Sequence, residues 1–439
     1  MKPTGERWKV LAWLCCLSVF TYIGRIGISS QIRENIERDL HLIPSLTAYA
    51  IAAFTLSYAL FELPFGWLGD RLGPRKVLMR VVVCWMVFTA LTGAAWNLAS
   101  LIFFRFMIGV GEAGAFPNIA RATREWFPYR ERGLAQGYVW MLARLGGAIT
   151  FPALLALTWV LGWRWAFVSI GAIGVLWAWA FWKRFRDRPA QDPKVNAAEL
   201  ALISEGRGET AKLAPLSWRT MLLSPTIWFL LVMYFASNAG WSFFASWITP
   251  YVESDLRLNG MALALASGSP LFFGGIACFL GGFLTDRMVR GWGRRWGRTL
   301  IGAVGYGVAG TLMLVAFKTT AHHRDWALAA ICLSSFAKDL GMAATWAIAI
   351  DVGHRYSGTV SGLMNSFGNM AQVISVPVVA YLAVWAGKRG HLNWQVSLYY
   401  YGAMFFIAAV CFLFIEPRKV VVYSEEDRLR LEAAGALGR

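Results

Sequence analysis

Long apolar stretches alternate with short, mostly basic ones along this chain, at roughly 9–31, 47–69, 77–96, 98–120, 134–160, 164–182, 225–250, 261–285, 298–317, 326–352, 358–383 and 395–415. Each is close to the ~20 residues that an α-helix needs to cross the hydrocarbon core of a bilayer. The pattern predicts an all-α membrane protein with twelve transmembrane helices in two six-helix halves. Between the sixth and seventh stretches, the segment that opens FWKRFRDRPAQDP is too charged to cross. The predicted organisation is therefore an N-terminal bundle over 1–182, a linker over 183–224, a C-terminal bundle over 225–417 and a tail over 418–439. Within the linker, AAELALISEG predicts a short surface helix. Trp8, Trp96, Trp126, Trp163, Trp165, Trp326 and Trp394 gather near stretch ends, as interfacial aromatic belts do.

Composition agrees with the pattern. Of 439 residues, 57% are hydrophobic and only 15% charged, against about 25% charged in soluble domains. A soluble enzyme, a disordered chain and a disulfide scaffold are excluded. The net charge of +17 would suit a polyanion partner, but the basic residues are sorted by side. Arg121, Arg124, Arg130 and Arg132, then Lys183, Arg184, Arg186 and Arg188, then Arg290, Arg294, Arg295 and Arg298 all fall in segments on the side of the N-terminus. That asymmetry is the positive-inside rule. It places both termini in the cytoplasm, makes the lipid bilayer of the cell's inner membrane the partner, and argues against nucleic acid. The first apolar run is too long for a signal-peptide core and carries Arg25, so it stays as a membrane helix. The six cysteines lie in apolar runs without metal-type spacing, and the adjacent His322 and His323 have no third ligand nearby. No metal and no cofactor are expected. No span combines a nucleophile, a base and an orienting group, so an enzyme is not expected.

A motif repeats. Gly66-Trp-Leu-Gly-Asp70-Arg71-Leu-Gly73-Pro-Arg75-Lys76 follows the second stretch, and Gly282-Phe-Leu-Thr-Asp286-Arg287 follows the eighth. Matching positions in two sets of six imply parallel duplication, with substrate bound where the halves meet. GWLGDRLGPRK in this place resembles the signature loop of the major facilitator superfamily. In it the Asp70 carboxylate is suited to accept hydrogen bonds from a neighbouring helix end, while Arg71, Arg75 and Lys76 are suited to an ionic latch on the cytoplasmic face.

A narrower resemblance is to the anion:cation symporter family. It rests on Arg105-Phe-Met-Ile-Gly-Val-Gly-Glu112-Ala-Gly-Ala-Phe-Pro117-Asn118, on GWRWAF at 162–167, on FRDRPAQDP with the ELALI helix, and on Asp351-Val-Gly-His with Ser361-Gly-Leu-Met-Asn365-Ser-Phe-Gly-Asn369. This resemblance covers nearly the whole chain. The family includes bacterial carriers of sugar acids such as galactonate and glucarate, and the sialin and vesicular glutamate transporter branch. It implies a monomeric secondary transporter that imports a small organic carboxylate anion by proton symport and alternating access, with protons as the coupling ion. The alternatives are an anion exchanger or exporter of organophosphate or drug type, and a transporter-like membrane sensor.

Buried charge supplies the candidate site. Arg25 lies mid-stretch, where exposure to lipid costs at least ~2.5–3.5 kcal/mol, so it should face the interior. Tyr22 lies three residues earlier on the same face, and the resemblance makes this pair substrate contacts. Arg105 and Glu112 share a helical face but lie two turns apart, so each needs a partner across the cavity. By resemblance Glu112 carries the proton. Where bacterial relatives have an Asp before the first-span Arg, this chain has Gly24, which makes Asp339 and Glu62 further proton-coupling candidates. Asp339 and Lys338 are consecutive, about 100° apart, and need not pair. Arg144 is a second departure, where sugar-acid carriers have a small or amide residue, and an added cation favours a more negative substrate such as a diacid. Tyr58, Asn238, Trp241, Trp346, Asn365 and Asn369 complete the candidate contacts as groups able to orient an anion.

Overall fold

The computed structural model describes residues 2–26, 30–204, 215–319, 323–387 and 395–433. Its helices are α1 (Glu6–Ile26), α2 (Ser30–Asp39), α3 (Pro44–Leu72), α4 (Pro74–Thr92), α5 (Leu98–Glu112), α6 (Ala115–Trp126), α7 (Arg132–Arg184), α8 (Ala197–Ser204), α9 (Trp218–Leu223), α10 (Pro225–Ser242), α11 (Ile248–Ser254), α12 (Gly260–Thr319), α13 (Arg324–Leu340), α14 (Met342–Gly353), α15 (Ser357–Trp385), α16 (Gln395–Phe414) and α17 (Glu425–Ala433). Among the described residues, seven helical stretches are long and apolar enough to cross a membrane. Two of them, Gly260–Thr319 and Arg324–Trp385, run to 60 and 62 residues because they continue through breaks.

Local sequence sets those breaks. Gly162 (φ 74°) and Gly293 (φ 77°) take left-handed conformations that glycine adopts without steric cost, and each divides one long helix into two rods. Gly114 (φ 85°) does the same between α5 and α6, and a π-helical turn, Phe243–Trp247, joins α10 to α11. Helix starts are equally local. Pro44, Pro74 and Pro225 occupy first-turn positions where no amide is needed. At α5, the Asn97 side chain accepts the Ser100 amide (2.8 Å) while the Ser100 hydroxyl accepts the Asn97 amide (3.1 Å), a reciprocal cap.

The helices before the linker meet those after it along two seams, α3 against α15 and α7 against α12. Glycine makes both seams close. A Cβ at Gly66 would overlap the Gly358 carbonyl, and one at Gly282 would overlap the Gly133 carbonyl. These approaches lie toward the end of the molecule that carries the two repeated motifs.

The α8 helix of the linker has Ala197, Ala201 and Ser204 exposed and turns Ile203 and a fully buried Glu199 inward. Glu199 ties it to the start of α1. Its carboxylate accepts the Glu6 amide (3.0 Å), the Arg7 amide (3.1 Å) and Arg7 Nη1 (3.2 Å), together with the Thr4 hydroxyl. The first amides of α1 have no partner within their own helix, and an anion is favoured at that helix end. Asn196 Nδ2 adds a bond to the Lys2 carbonyl (2.8 Å). The segment after α16 is also held in place. The Val421 amide donates to the Val352 carbonyl (3.2 Å), the Ser217 amide to the Val422 carbonyl (2.9 Å), and Tyr423 Oη lies 2.9 Å from His354 Nδ1.

Candidate functional site

A small central cavity of about 20 Å³, room for about one water, lies where α1, α3, α6, α7, α10, α14 and α15 converge. Tyr22, Tyr58, Arg144, Asn238, Trp241, Asn365 and Asn369 line it, together with Phe116, Trp140, Tyr234, Met342 and Gln372. One wall is aromatic. Phe116 and Trp140 stack at 4.4 Å and 8°, with Trp346 packed behind both. The facing wall is a ladder of amides one helical turn apart on α15. Asn365 Nδ2 donates to Glu62 Oε1 (2.8 Å) and reaches Tyr58 Oη (3.4 Å). Asn369 Nδ2 donates to the Asn365 carbonyl (2.8 Å), and Gln372 Nε2 to Asn369 Oδ1 (3.3 Å). Asn238 Nδ2 is turned to the Tyr234 carbonyl (2.9 Å).

Arg144 supplies the charge. Its Nη1 donates to Tyr22 Oη (2.7 Å), while Nε and Nη2 hold the two oxygens of Asp339 at 3.2 and 3.3 Å. Such a two-pronged grip on a carboxylate is the guanidinium's strongest pairing geometry. The guanidinium carbon lies 3.6 Å from the centre of the Trp241 ring, a cation–π contact. Lys338 and Asp339 do pair: the long lysine stem curls back across the 100° between adjacent positions and brings Nζ onto Asp339 Oδ1. Lys338 Nζ also lies 5.0 Å from the Trp241 ring. Arg144, Lys338 and Asp339 are all buried, and their formal charges sum to +1. Gly274 makes the cluster possible, since a Cβ there would overlap Asp339 Oδ2.

Other candidates lie elsewhere. Arg105 is buried on α5 with its guanidinium 4.8 Å over the Phe54 ring, and it does not line the central cavity. It interacts electrostatically with Glu112, at the end of the same helix. Trp346 forms the second layer of the aromatic wall and donates Nε1 to Tyr234 Oη (3.3 Å). The Arg25 side chain lies outside the described residues. The wall residues missed from sequence carried a signal in their spacing: Trp140 is one turn before Arg144, and Gln372 extends the Asn365–Asn369 stripe.

At the motif end the two aspartates do the same thing in opposite directions. Asp70, at the end of α3, accepts the Gly358 amide (3.0 Å), the Thr359 amide (2.6 Å) and the Thr359 hydroxyl (2.7 Å) at the start of α15. Asp286, in α12, accepts the Gly133 amide (3.0 Å) and the Leu134 amide (2.6 Å) at the start of α7. Each carboxylate thus caps a helix across a seam. Arg121 lies 3.2 Å from Asp70, and Arg298 lies 2.9 Å from Asp286. Asp351 bridges Arg132 (2.7 Å) and Arg298 (3.3 Å). The basic residues of the motif itself turn elsewhere: Arg71 lies over Trp67 (3.9 Å) and Arg75 over Trp182 (4.1 Å), with the Arg75 amide on Asp187 (2.8 Å). The expected ionic latch of Arg71, Arg75 and Lys76 is replaced, for the two arginines, by contacts within the N-terminal helices. Between the halves the charge is carried by Arg132 on Asp351, with Arg298 adding a bond to the Tyr129 carbonyl (2.9 Å), while the pairs Arg121–Asp70 and Arg298–Asp286 each stay within one half.

A helical bundle with a central charged cavity, closed at one end by paired helix caps, defines a membrane carrier. Residues 14–367, and again 288–435, match the Major Facilitator Superfamily, and the chain belongs to that superfamily. It is a transporter rather than an enzyme. The chain is 34% identical over 423 residues to a probable sulfoacetate transporter, SauU, of Cupriavidus necator, with 96% of each chain covered. It is 28% identical over 435 residues to a probable galactarate/D-glucarate transporter, GarP, of Escherichia coli K12, covering 94% and 95%. The solved structure of the proton:xylose symporter XylE, bound to 6-bromo-6-deoxy-D-glucose, superposes with a TM-score of 0.74 at 15% identity, covering 96% of this chain and 98% of that one. That likeness is one of fold.

Proposed function

We propose that this protein imports a small organic acid anion across the cell's inner membrane together with protons, by alternating access between two six-helix halves. The observation that carries the reading is Arg144, a buried guanidinium on the wall of the central cavity in a cluster of net formal charge +1. An anion entering that cavity meets a fork of donors, a second cation behind it, a ladder of amides for hydroxyl groups and an aromatic wall for its carbon skeleton. The relatives named above, carriers of sulfoacetate and of sugar diacids, support a substrate bearing acidic groups. Splitting α7 and α12 at their left-handed glycines, joining α5 to α6, α10 to α11 and α13 to α14, and setting aside the short helices α2, α8, α9 and α17 gives twelve rods, which supports twelve spans with both termini on the cytoplasmic side. Glu112, Asp339 and Glu62 are the buried acids from which a proton carrier is drawn, and the carrier works as a monomer.

Uptake of radiolabelled sulfoacetate or galactarate by purified protein in liposomes tests the reading. An inward proton gradient should drive accumulation of at least one of them, and dissipating the gradient should abolish it. Uptake indifferent to the gradient, with brisk counterflow instead, would replace symport by exchange.

A further inference from the structure

Asp339 occupies the place in which a substrate acid group would be held. Its two oxygens take the fork of Arg144, on the cavity wall, and Lys338 closes on it from its own helix. The Trp241 ring faces both cations, so the cluster has one carboxylate and two positive partners behind a common lid. The missing side chain at Gly274 provides the space in which that carboxylate sits. Three charged groups buried this far from water are tolerated only while their sum stays near balance.

We propose that Asp339 is a tethered stand-in for one acid group of the substrate, which gives up Arg144 and Lys338, and takes a proton, when a doubly charged organic anion binds. This rests on the anion-carrier reading and names its substrate class and its coupling site. The charge balance decides it. With Asp339 ionised, a dianion beside Arg144 and Lys338 leaves a buried net charge of −1. With Asp339 protonated, the same complex is neutral. A monoanion needs no proton to reach neutrality, so the site selects dianions and couples each to one proton. The groups that face Asp339 are Arg144 from α7, Lys338 from α13, Cys278 and Tyr306 from the two rods of α12, with Tyr22 of α1 and Tyr234 of α10 one step behind through Arg144. The remaining four bear thiol or phenol groups.

The probes are sulfoacetate and 2-hydroxyethanesulfonate, which share a skeleton and differ in the second acid group. Titration calorimetry on the full-length purified protein, in two buffers of different ionisation heat, counts protons taken up. For sulfoacetate the wild type should take up about one proton per anion bound and bind about tenfold or more weaker at about pH 8 than at about pH 6. Binding of 2-hydroxyethanesulfonate should take up none. In Asp339→Asn, sulfoacetate binding should lose its pH dependence, and in Lys338→Met its advantage over 2-hydroxyethanesulfonate should fall about tenfold. If Asp339→Asn fails to fold, the wild-type proton count alone decides. Sulfoacetate binding without proton uptake, or pH dependence that persists in Asp339→Asn, overturns the proposal and leaves the carrier reading standing. Failure of both sulfoacetate and galactarate to bind overturns both.

Discussion

Arg144 combines four contacts in one side chain: the Tyr22 hydroxyl, both oxygens of Asp339 and the face of Trp241. Removing it leaves Asp339 buried with Lys338 alone, and breaking a buried pair on one side costs about 3–5 kcal/mol. Arg144→Ala should therefore lower the thermal midpoint of the purified protein markedly, and Arg144→Ala/Asp339→Ala should recover part of that loss because the stranded carboxylate is gone. Two independent, additive losses would show that the pair is not coupled. Arg144→Lys keeps the charge but not the fork, so it should fold and bind sulfoacetate at least about tenfold more weakly in a thermal-shift titration. Both charges stood out in the sequence as intruders in apolar runs. Their partnership did not, because 195 residues separate them, and only the packing of both α7 and α13 against α12 brings them together. Arg105 shows the converse. Its burial was legible, but the Phe54 ring that receives it lies on another helix, so charge in an apolar run marked an interior position rather than a cavity wall.

At the scale of elements, the repeated motif is a pair of helix caps. The first amides of α15 and α7 have no intrahelical partners, and Asp70 and Asp286 satisfy them from across the seams. Asp286→Asn keeps the size but replaces an anionic acceptor, weakening a cap worth about 0.5–2 kcal/mol. Hydrogen exchange at the start of α7 should accelerate several-fold, while the start of α15, capped by Asp70, should be unaffected. Equal acceleration at both ends would point to global loosening instead. Glu199 provides a cap of a different kind, outside the membrane. Burial alone would raise its carboxyl, but hydrogen bonds from Thr4, the amides of Arg7 and Glu6, and the Arg7 side chain outweigh burial and hold it below the usual carboxylate range. A depressed folded-state value contributes stability that is present above the unfolded value, about 4.3, and is lost as pH falls through the lower folded value. The start of α1 should thus stay protected from exchange near neutrality and open only in stronger acid. In Glu199→Gln it should be less protected already at neutral pH. The motif repeat was readable because it is written in local sequence twice. Its amide donors were not, since Gly133 and Gly358 are ordinary residues until the seams place them. The α8 helix was readable as a helix, but the part Glu199 plays was not, for the same reason: nothing near it in sequence announces the end of α1.

For the molecule as a whole, hydropathy alone carried the helical membrane architecture, because lipid enforces long apolar runs and closed backbone hydrogen bonding. The breaks at Gly162 and Gly293 were legible, since they fall between the stretches 134–160 and 164–182 and between 261–285 and 298–317, whereas the break at Gly114, inside the 98–120 stretch, was not, because only its packing against Phe65 sets it apart from the other glycines. Nor was the conformation, which depends on contacts between distant segments. The structure has its motif end shut: Asp70 on α15, Asp286 on α7, and Asp351 between Arg132 and Arg298. A carrier that alternates must break these together, whereas binding from the opposite side requires only that they hold. Asp70→Cys with Thr359→Cys, in a chain whose six native cysteines are replaced, puts two thiols where a carboxylate and a hydroxyl now meet at 2.7 Å. Oxidation should stop sulfoacetate uptake into liposomes, and reductant should restore it to the level of the reduced double variant. The thermal shift given by sulfoacetate should survive in the oxidised protein, because a shut motif end leaves the other side free to admit the anion. Continued uptake by fully cross-linked protein would mean that α3 and α15 do not separate during the cycle, and that the paired caps are fixed joints rather than a gate.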